Sequence, residues 1–327
     1  MTETPNQQQT PQYPPPSYYY PMPQVADDEI DLRELFAVIW HGKWWIIAFA
    51  LVFGIGGVIY AKLQPNIYQS QVLIAPADNS QASQLAGLAS QFGGLASLAG
   101  VNLGSGGSNK TILALQVLQS RKFIGDFITR HHLLPELMAT KGWDKKTEQL
   151  KYNTSLYNPK TKQWLSDDEK SLKPTRLDAT QYFLKKILSV DTDTKTNMTT
   201  VSINYYSPNI AQQWATWLIS DLNEEMRQQD MIDAQNSIQY LNSQLAQTSL
   251  ADNRTMLYQL IEQQTKTLML TKVRKEYAFK TIDPAVVAEN PSKPKRKLIV
   301  VIAVILGGIL GVFFIFIKQF IRNDKNH

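Results

Sequence analysis

Two stretches, WWIIAFALVFGIGGVIYA (Trp44–Ala61) and LIVVIAVILGGILGVFFIFI (Leu298–Ile317), decide how the rest of the chain is read. Neither carries a charge, and each matches the roughly 17 to 25 residues that a helix needs to cross hydrocarbon. A mean hydropathy of −0.25 over 327 residues therefore averages unlike parts, and a soluble enzyme is excluded. The first run stands behind a tail with more acids than bases and is longer than the apolar part of a cleaved signal peptide, so it is expected to remain as an anchor. The residues between the runs then lie on one side of the membrane and both termini on the other. Lys62 follows the first run, Lys293, Lys295, Arg296 and Lys297 precede the second, and Lys318, Arg322 and Lys325 follow it, so the charge rule nearly ties. Long loops translocate largely regardless of charge, which places the large domain outside the cytoplasm.

The net charge of +5 and pI near 9.1 are spent at these membrane edges, where the basic residues suit lipid headgroups. Without a recognition module to go with the charge, nucleic acid is not an expected partner. The absence of cysteine removes disulfides, thiolate metal sites, iron–sulfur clusters and cysteine nucleophiles.

The chain is expected to divide as follows. Residues 1–26, with seven prolines among glutamines and tyrosines (Tyr18 to Tyr20 in a row), form a disordered tail. Residues 27–43 form an amphipathic juxtamembrane helix, acidic at its start and apolar at Ile30, Leu32, Leu35, Phe36, Ile39 and Trp40. Transmembrane helices cover 44–63 and 298–317, and a short tail covers 318–327. Within 64–297, a mixed α/β base takes 64–207 and 277–290, and long helices take 208–276. Strands are expected over Ile67–Pro76, Met198–Tyr206 and Tyr277–Asp283, with helices over Thr111–His131 and Ala179–Leu188. From Pro208 a helix of about 40 residues would reach about 60 Å. Met231, Ala234, Ile238, Leu241 and Leu245 repeat along it at steps of three and four, as in a coiled-coil seam. A break at Ser249–Asn253 turns a second stripe, Leu257, Leu260, Ile261 and Leu268, back on the first. The fold class is an α+β membrane protein, with two transmembrane helices flanking an α/β base that carries a helical hairpin.

Candidate chemistry is sparse. Gly104–Thr111 approaches a phosphate-binding loop, but Asn109 stands where the last glycine belongs, and the preceding Gln84–Leu103 is small and repetitive, with Gly-Leu-Ala-Ser at 87–90 and again at 94–97. His131 and His132 are adjacent and diverge on a helix. Asp167, Asp168 and Glu169 after Trp164 read as a solvated turn before they read as a glycosidase pair, and there is no Gly-x-Ser-x-Gly elbow. Catalytic, cofactor and metal sites are therefore all assigned as none. Small residues in the apolar runs carry more weight. Ala303, Gly307 and Gly311 recur every four residues beside Gly308, and Gly54 and Gly57 lie in the first run, so another backbone can come close.

The combination resembles the Wzz family of polysaccharide co-polymerases, the chain-length determinants of O-antigen assembly. The residues that carry the resemblance are Ile30–Leu35 leading to Trp40-His41-Gly42-Lys43, Tyr68–Pro76 after the first anchor, and Ile282-Asp283-Pro284-Ala285 with Asn290–Lys295 before the glycine-bearing helix. The resemblance implies a bacterial inner-membrane protein with cytoplasmic termini, a periplasmic domain, a ring-like homo-oligomer, and regulation rather than catalysis. It also implies a separate O-antigen polymerase as partner, with undecaprenyl-diphosphate-linked polysaccharide nearby. Larger members append a cytoplasmic tyrosine kinase, for which ten residues after Ile317 leave no room. On this reading Pro284, Pro291 and Pro294 fix the backbone at the membrane, the small residues pack helices, and Met231, Ile238, Leu241 and Leu245 supply seam or oligomer contacts. The competing readings are a co-polymerase for capsule, exopolysaccharide or enterobacterial common antigen, with or without a separate kinase; a tethered glycan-processing enzyme; and a passive envelope adaptor.

Overall fold

The structure is a computed structural model that describes residues 39–77, 106–167, 170–248 and 250–324. The proline-rich tail, most of the juxtamembrane helix and the repetitive Gln84–Leu103 lie outside the described residues. The chain divides into two units, one of residues 54–303 and one of the flanking residues up to 53 and from 304 onward.

In chain order, α1 (Lys43–Leu63) leads to β1 (Tyr68–Pro76), then to α2 (Gly106–Leu118), α3 (Arg121–Arg130) and α4 (Leu134–Ala139). Small hairpins follow: β2 (Thr140–Asp144) with β3 (Gln149–Tyr152), β4 (Tyr157–Asn158) with β5 (Gln163–Trp164), and β6 (Ser166–Asp167) with β7 (Lys170–Ser171). After α5 (Arg176–Tyr182) and a π turn (Phe183–Ile187) come β8 (Leu188–Asp193) and β9 (Met198–Tyr205). The chain ends through α6 (Pro208–Gln247), α7 (Ala251–Val273), β10 (Phe279–Asp283) and α8 (Arg296–Asp324).

Among the described residues, the larger unit is built on a four-stranded antiparallel sheet in the order β10-β1-β9-β8. Alternation forms β1, because Tyr68, Ser70, Val72 and Ile74 point inward and are buried. Its neighbour β9 is buried on both faces from Val201 to Tyr205, as a central strand should be. β8 was not expected, since the helical reading ran on through Leu188. There the backbone turns to φ −84 and ψ 135, and the polar Ser-Val-Asp-Thr-Asp that follows suits an edge strand. Thr111–His131 is likewise two helices. Ser120 is extended, and its Oγ accepts from the Phe123 amide at 3.2 Å, which caps α3.

The helix layer rests on α6. Ser207 caps it and Pro208 occupies its first turn. Its first half buries Ala211, Trp214, Ala215, Leu218, Leu222 and Met226 in the core. Trp214 is fully buried, its ring 4.4 Å from that of Tyr205 and 6.1 Å from that of Phe183. The second half changes character. Ala234 is buried, Met231, Ile238, Leu241 and Leu245 are half-buried, and Ile232 and Tyr240 are exposed, while α7 packs along α6. Such a stripe stabilises a hairpin without building a second core.

One buried side chain ties this helix to the sheet. Asn223 of α6 accepts from the amides of Ala278 and Phe279 at 2.8 and 2.9 Å and donates to the Phe279 carbonyl at 3.0 Å. Two residues on along the same strand, the Thr281 amide donates to the Glu276 carboxylate at 2.9 Å. Asn223→Ala strands buried backbone groups at about 1–3 kcal/mol each. A melt of the detergent-solubilised protein should show marked destabilisation, with Phe279–Asp283 becoming the first new protease site.

The next residue along the helix links it to α7. The Glu224 carboxyl is held below its ordinary value of 4.5, chiefly by the hydrogen bonds from Arg227, whose Nη1 also donates to the Thr271 carbonyl at 3.2 Å. A lowered acid contributes stability that is present above its unfolded value and lost as pH falls through the folded one. Amide protection around Thr271, taken relative to the intrinsic exchange rate at each pH, should therefore fall as pH drops below about 4.5, and Arg227→Met should abolish that step.

Candidate functional site: the paired apolar helices and their exit

The apolar runs form α1 and α8, of 21 and 29 residues. At 1.5 Å per residue these are about 31 and 44 Å long, against about 30 Å of hydrocarbon. Both are long and apolar enough to cross a membrane.

Glycine decides how they meet. In the flanking unit, a Cβ built on Gly307 would lie 2.8 Å from the Phe49 carbonyl oxygen and 2.9 Å from the Ala50 Cα, and one on Gly311 would lie 2.8 Å from the Ile46 Cα. Backbone meets backbone there, so no larger side chain fits. Phe314 fills the space alongside, its ring 5.3 Å from those of Trp45 and Phe49, and the Lys318 ammonium sits 5.1 Å from the Trp45 ring centroid. Gly308 has nothing within 4 Å, because adjacent helical residues diverge by about 100°. In the larger unit, a Cβ on Gly57 would come 2.7 Å from the Ala303 Cβ, and Gly54 is buried. Of the small residues singled out, Ala303, Gly307, Gly311 and Gly57 meet another helix, whereas Gly308 does not.

The prolines mark a strap that sequence reading only partly foresaw. After β10, Pro284 is exposed, Ala285 is buried and its carbonyl accepts from Gln212 at 3.2 Å, and the Val286 carbonyl accepts from the Ser70 hydroxyl at 2.7 Å. Pro291 is exposed and Pro294 half-buried. Between them Ser292 donates its amide to the Ile67 carbonyl at 2.8 Å, and Ile67 returns a bond to the Lys293 carbonyl at 3.0 Å. Arg296, read from sequence only as a headgroup anchor, does more. Its Nε donates to the Ala61 carbonyl in the last turn of α1 at 3.2 Å and its Nη2 to Asn66 Oδ1 at 2.8 Å. A cation at a helix C-terminus satisfies an orphan carbonyl and opposes the helix dipole. The signal available in sequence was its place at the N-terminal edge of the second run, but its partners lie 230 residues or more away.

The remaining candidates serve packing. His131 Nε2 lies 2.9 Å from Asp221 Oδ2, and its ring stacks on Trp217 at 4.3 Å. Arg130 shares the same carboxylate at 2.9 Å, an ion cluster that sequence reading missed. His132 is exposed with a positive φ of 54° at the end of α3. Trp164 lies against Tyr157, its ring 5.2 Å away, and Asp168 and Glu169 fall outside the described residues. Among the described residues no three His, Asp or Glu side chains gather as metal ligands.

Two apolar helices bracketing an α/β unit with a helical hairpin define a membrane protein whose extramembrane part is held at both ends. A family model of chain length determinant proteins, Wzz, matches residues 28–131, and a model of the G-rich domain on putative tyrosine kinases, GNVR, matches 242–320. No curated protein sequence matches the chain. Among solved structures, a full-length bacterial polysaccharide co-polymerase is similar at 15% identity, covering 90% of this chain and 99% of that one, with a TM-score of 0.38. A fragment of WzzB, the polysaccharide co-polymerase from Salmonella Typhimurium, is similar at 14% identity over 70% of this chain and 100% of that one, with a TM-score of 0.33. Over residues 28–131, which hold the first apolar helix and the start of the larger unit, the chain is thus similar to chain length determinant proteins.

The helix contact is open to direct measurement, because the chain has no cysteine of its own. Trp45→Cys with Phe314→Cys, at positions whose rings lie 5.3 Å apart, should cross-link readily in membranes with a short bis-maleimide. Adding Gly307→Leu should lower that yield several-fold, whereas adding Gly308→Leu should leave it unchanged.

Proposed function

We propose that this protein sets the modal length of lipopolysaccharide O-antigen, acting as a non-catalytic oligomeric scaffold beside a separate membrane polymerase. In this reading it sits in the bacterial inner membrane with both termini cytoplasmic and the larger unit periplasmic, and copies assemble into a ring. The observation that carries it is the match of a chain length determinant model to the first apolar helix and its flanks. Energetics make the role reachable. A polymerase held against a repeated surface needs its dissociation altered by only about 1.4 kcal/mol for a tenfold change in rate. Gly307 and Gly311 lock α8 to α1, Pro284, Pro291 and Pro294 set the path of the strap, and Met231, Ile238, Leu241 and Leu245 stiffen the α6–α7 hairpin and its contacts with neighbouring copies. Undecaprenyl-diphosphate-linked glycan would pass close by.

A second reading has its own support. The match to a segment found on putative tyrosine kinases favours a co-polymerase for capsule or exopolysaccharide that works with a kinase on another chain. One experiment separates the two. After deletion of the gene, extracted lipopolysaccharide on a silver-stained gel should change from a clustered ladder to a random one. The wild-type gene should restore clustering and the Gly307→Leu/Gly311→Leu variant should not, although it is made normally. An unchanged ladder together with altered capsule size would decide for the second reading.

A further inference from the structure

The lysines of the small hairpins have no part in anything described so far, yet their position is well defined. α1 ends at Leu63 and β1 starts at Tyr68, so the first residues of β1 lie beside the end of a span. The Tyr68 ring meets the Trp143 ring edge-on at 5.5 Å. Opposite Tyr68 in the ladder stands Tyr205, whose hydroxyl donates to the Glu136 carbonyl at 2.6 Å and lies 3.3 Å from the Thr140 hydroxyl. The β2/β3 hairpin is thus fastened to the end of the sheet from which α1 leaves. The β8/β9 turn is at the other end, beyond the Ile74–Thr199 pair. Six register steps separate the two pairs, about 20 Å at 3.3 Å per residue.

Aromatic packing holds the hairpins together, with Tyr157 5.6 Å from Tyr152 and 5.2 Å from Trp164, ring to ring. Lys141, Lys145, Lys146, Lys151, Lys160 and Lys162 are all exposed on them. The acids of residues 140–162 are Asp144 and Glu148 alone, which leaves a formal excess of 6 − 2 = 4 positive charges. Asp144 is already engaged by Lys151 at 3.0 Å and by the amides of Lys146 and Thr147. Lys62, Lys293, Lys295 and Lys297, at the ends of α1 and α8 in the same unit, add to the charge beside this end of the sheet.

We propose that the hairpin segment 140–162 rests on the anionic headgroup surface of the membrane that α1 and α8 cross. Attraction between lysines and anionic lipid acts within a Debye length, about 8 Å at physiological ionic strength, so it demands the proximity that the Tyr68–Trp143 contact supplies. Long lysine side chains reach headgroups while their stems stay on the protein. The surface would fix the orientation of the base relative to the bilayer, which two helices alone leave free to tilt.

The proposal rests on α1 and α8 spanning a bilayer, and the test separates the two claims. The full-length protein carrying Thr147→Cys, Thr161→Cys or Thr196→Cys is labelled with a fluorophore and reconstituted into nanodiscs containing phosphatidylglycerol and a lipid with a headgroup-tethered paramagnetic quencher. Failure to enter nanodiscs overturns the spanning reading itself and the proposal with it. Once the protein is inserted, quenching at positions 147 and 161 should exceed that at 196 several-fold. It should fall toward the level at 196 in phosphatidylcholine-only discs, in high salt, and in the Lys145→Gln/Lys146→Gln/Lys160→Gln/Lys162→Gln variant, whose melting is checked against the parent. Equal quenching at the three positions, or indifference to lipid charge, overturns the proposal. So does a probe response to added polygalacturonate without any response to lipid charge, which would make the surface a glycan-binding one.

Discussion

The larger unit depends on closing the chain upon itself at its membrane end. Residues at the start and the finish of that unit are joined by the paired backbone of Ile67 with Ser292 and Lys293 and by the reach of Arg296 to Ala61 and Asn66. Between these points lies the whole sheet, and after β10 has paired with β1 the strap carries the chain on to Ile67. The arrangement gives the long helices a fixed footing: α6 buries its first half on the sheet, and its second half is free to extend with α7.

Packing of α1 on α8 follows a different logic. In hydrocarbon no hydrophobic drive brings helices together, so close backbone approach and dispersion must do it. Gly307 and Gly311 provide that approach, and the aromatic rings of Trp45, Phe49 and Phe314 fill what remains. The helix pair therefore has definite geometry where Gly307 and Gly311 meet α1.

Much of this was legible in the sequence because the decisive signals were long and periodic. The apolar runs, the alternation of Tyr68–Ile74, and the helix from Pro208 to Gln247 each repeat a pattern over many residues. The losses came where the signal was short or rotational. A single serine at position 120 divided an expected helix, and its capping role is invisible to periodicity. β8 and the hairpins from Thr140 to Ser171 are held by two- to six-residue ladders and side-chain turns. Gly307 and Gly308 look alike in sequence, but only the phase of the helix tells which one faces α1. Arg296 was noticed for its charge and missed as a clamp, since its partners are distant along the chain.

The outer border of β10 has a bearing on how copies could join. The Phe279 amide and carbonyl are taken by Asn223 and the Thr281 amide by Glu276, whereas β8, on the far border, has β9 as its one neighbouring strand among the described residues. Side chains of the protein's own chain thus cover part of this border. A neighbouring strand that added there would first have to displace these side chains, so the β10 border favours contacts through side chains over a continuous ribbon of backbone bonds.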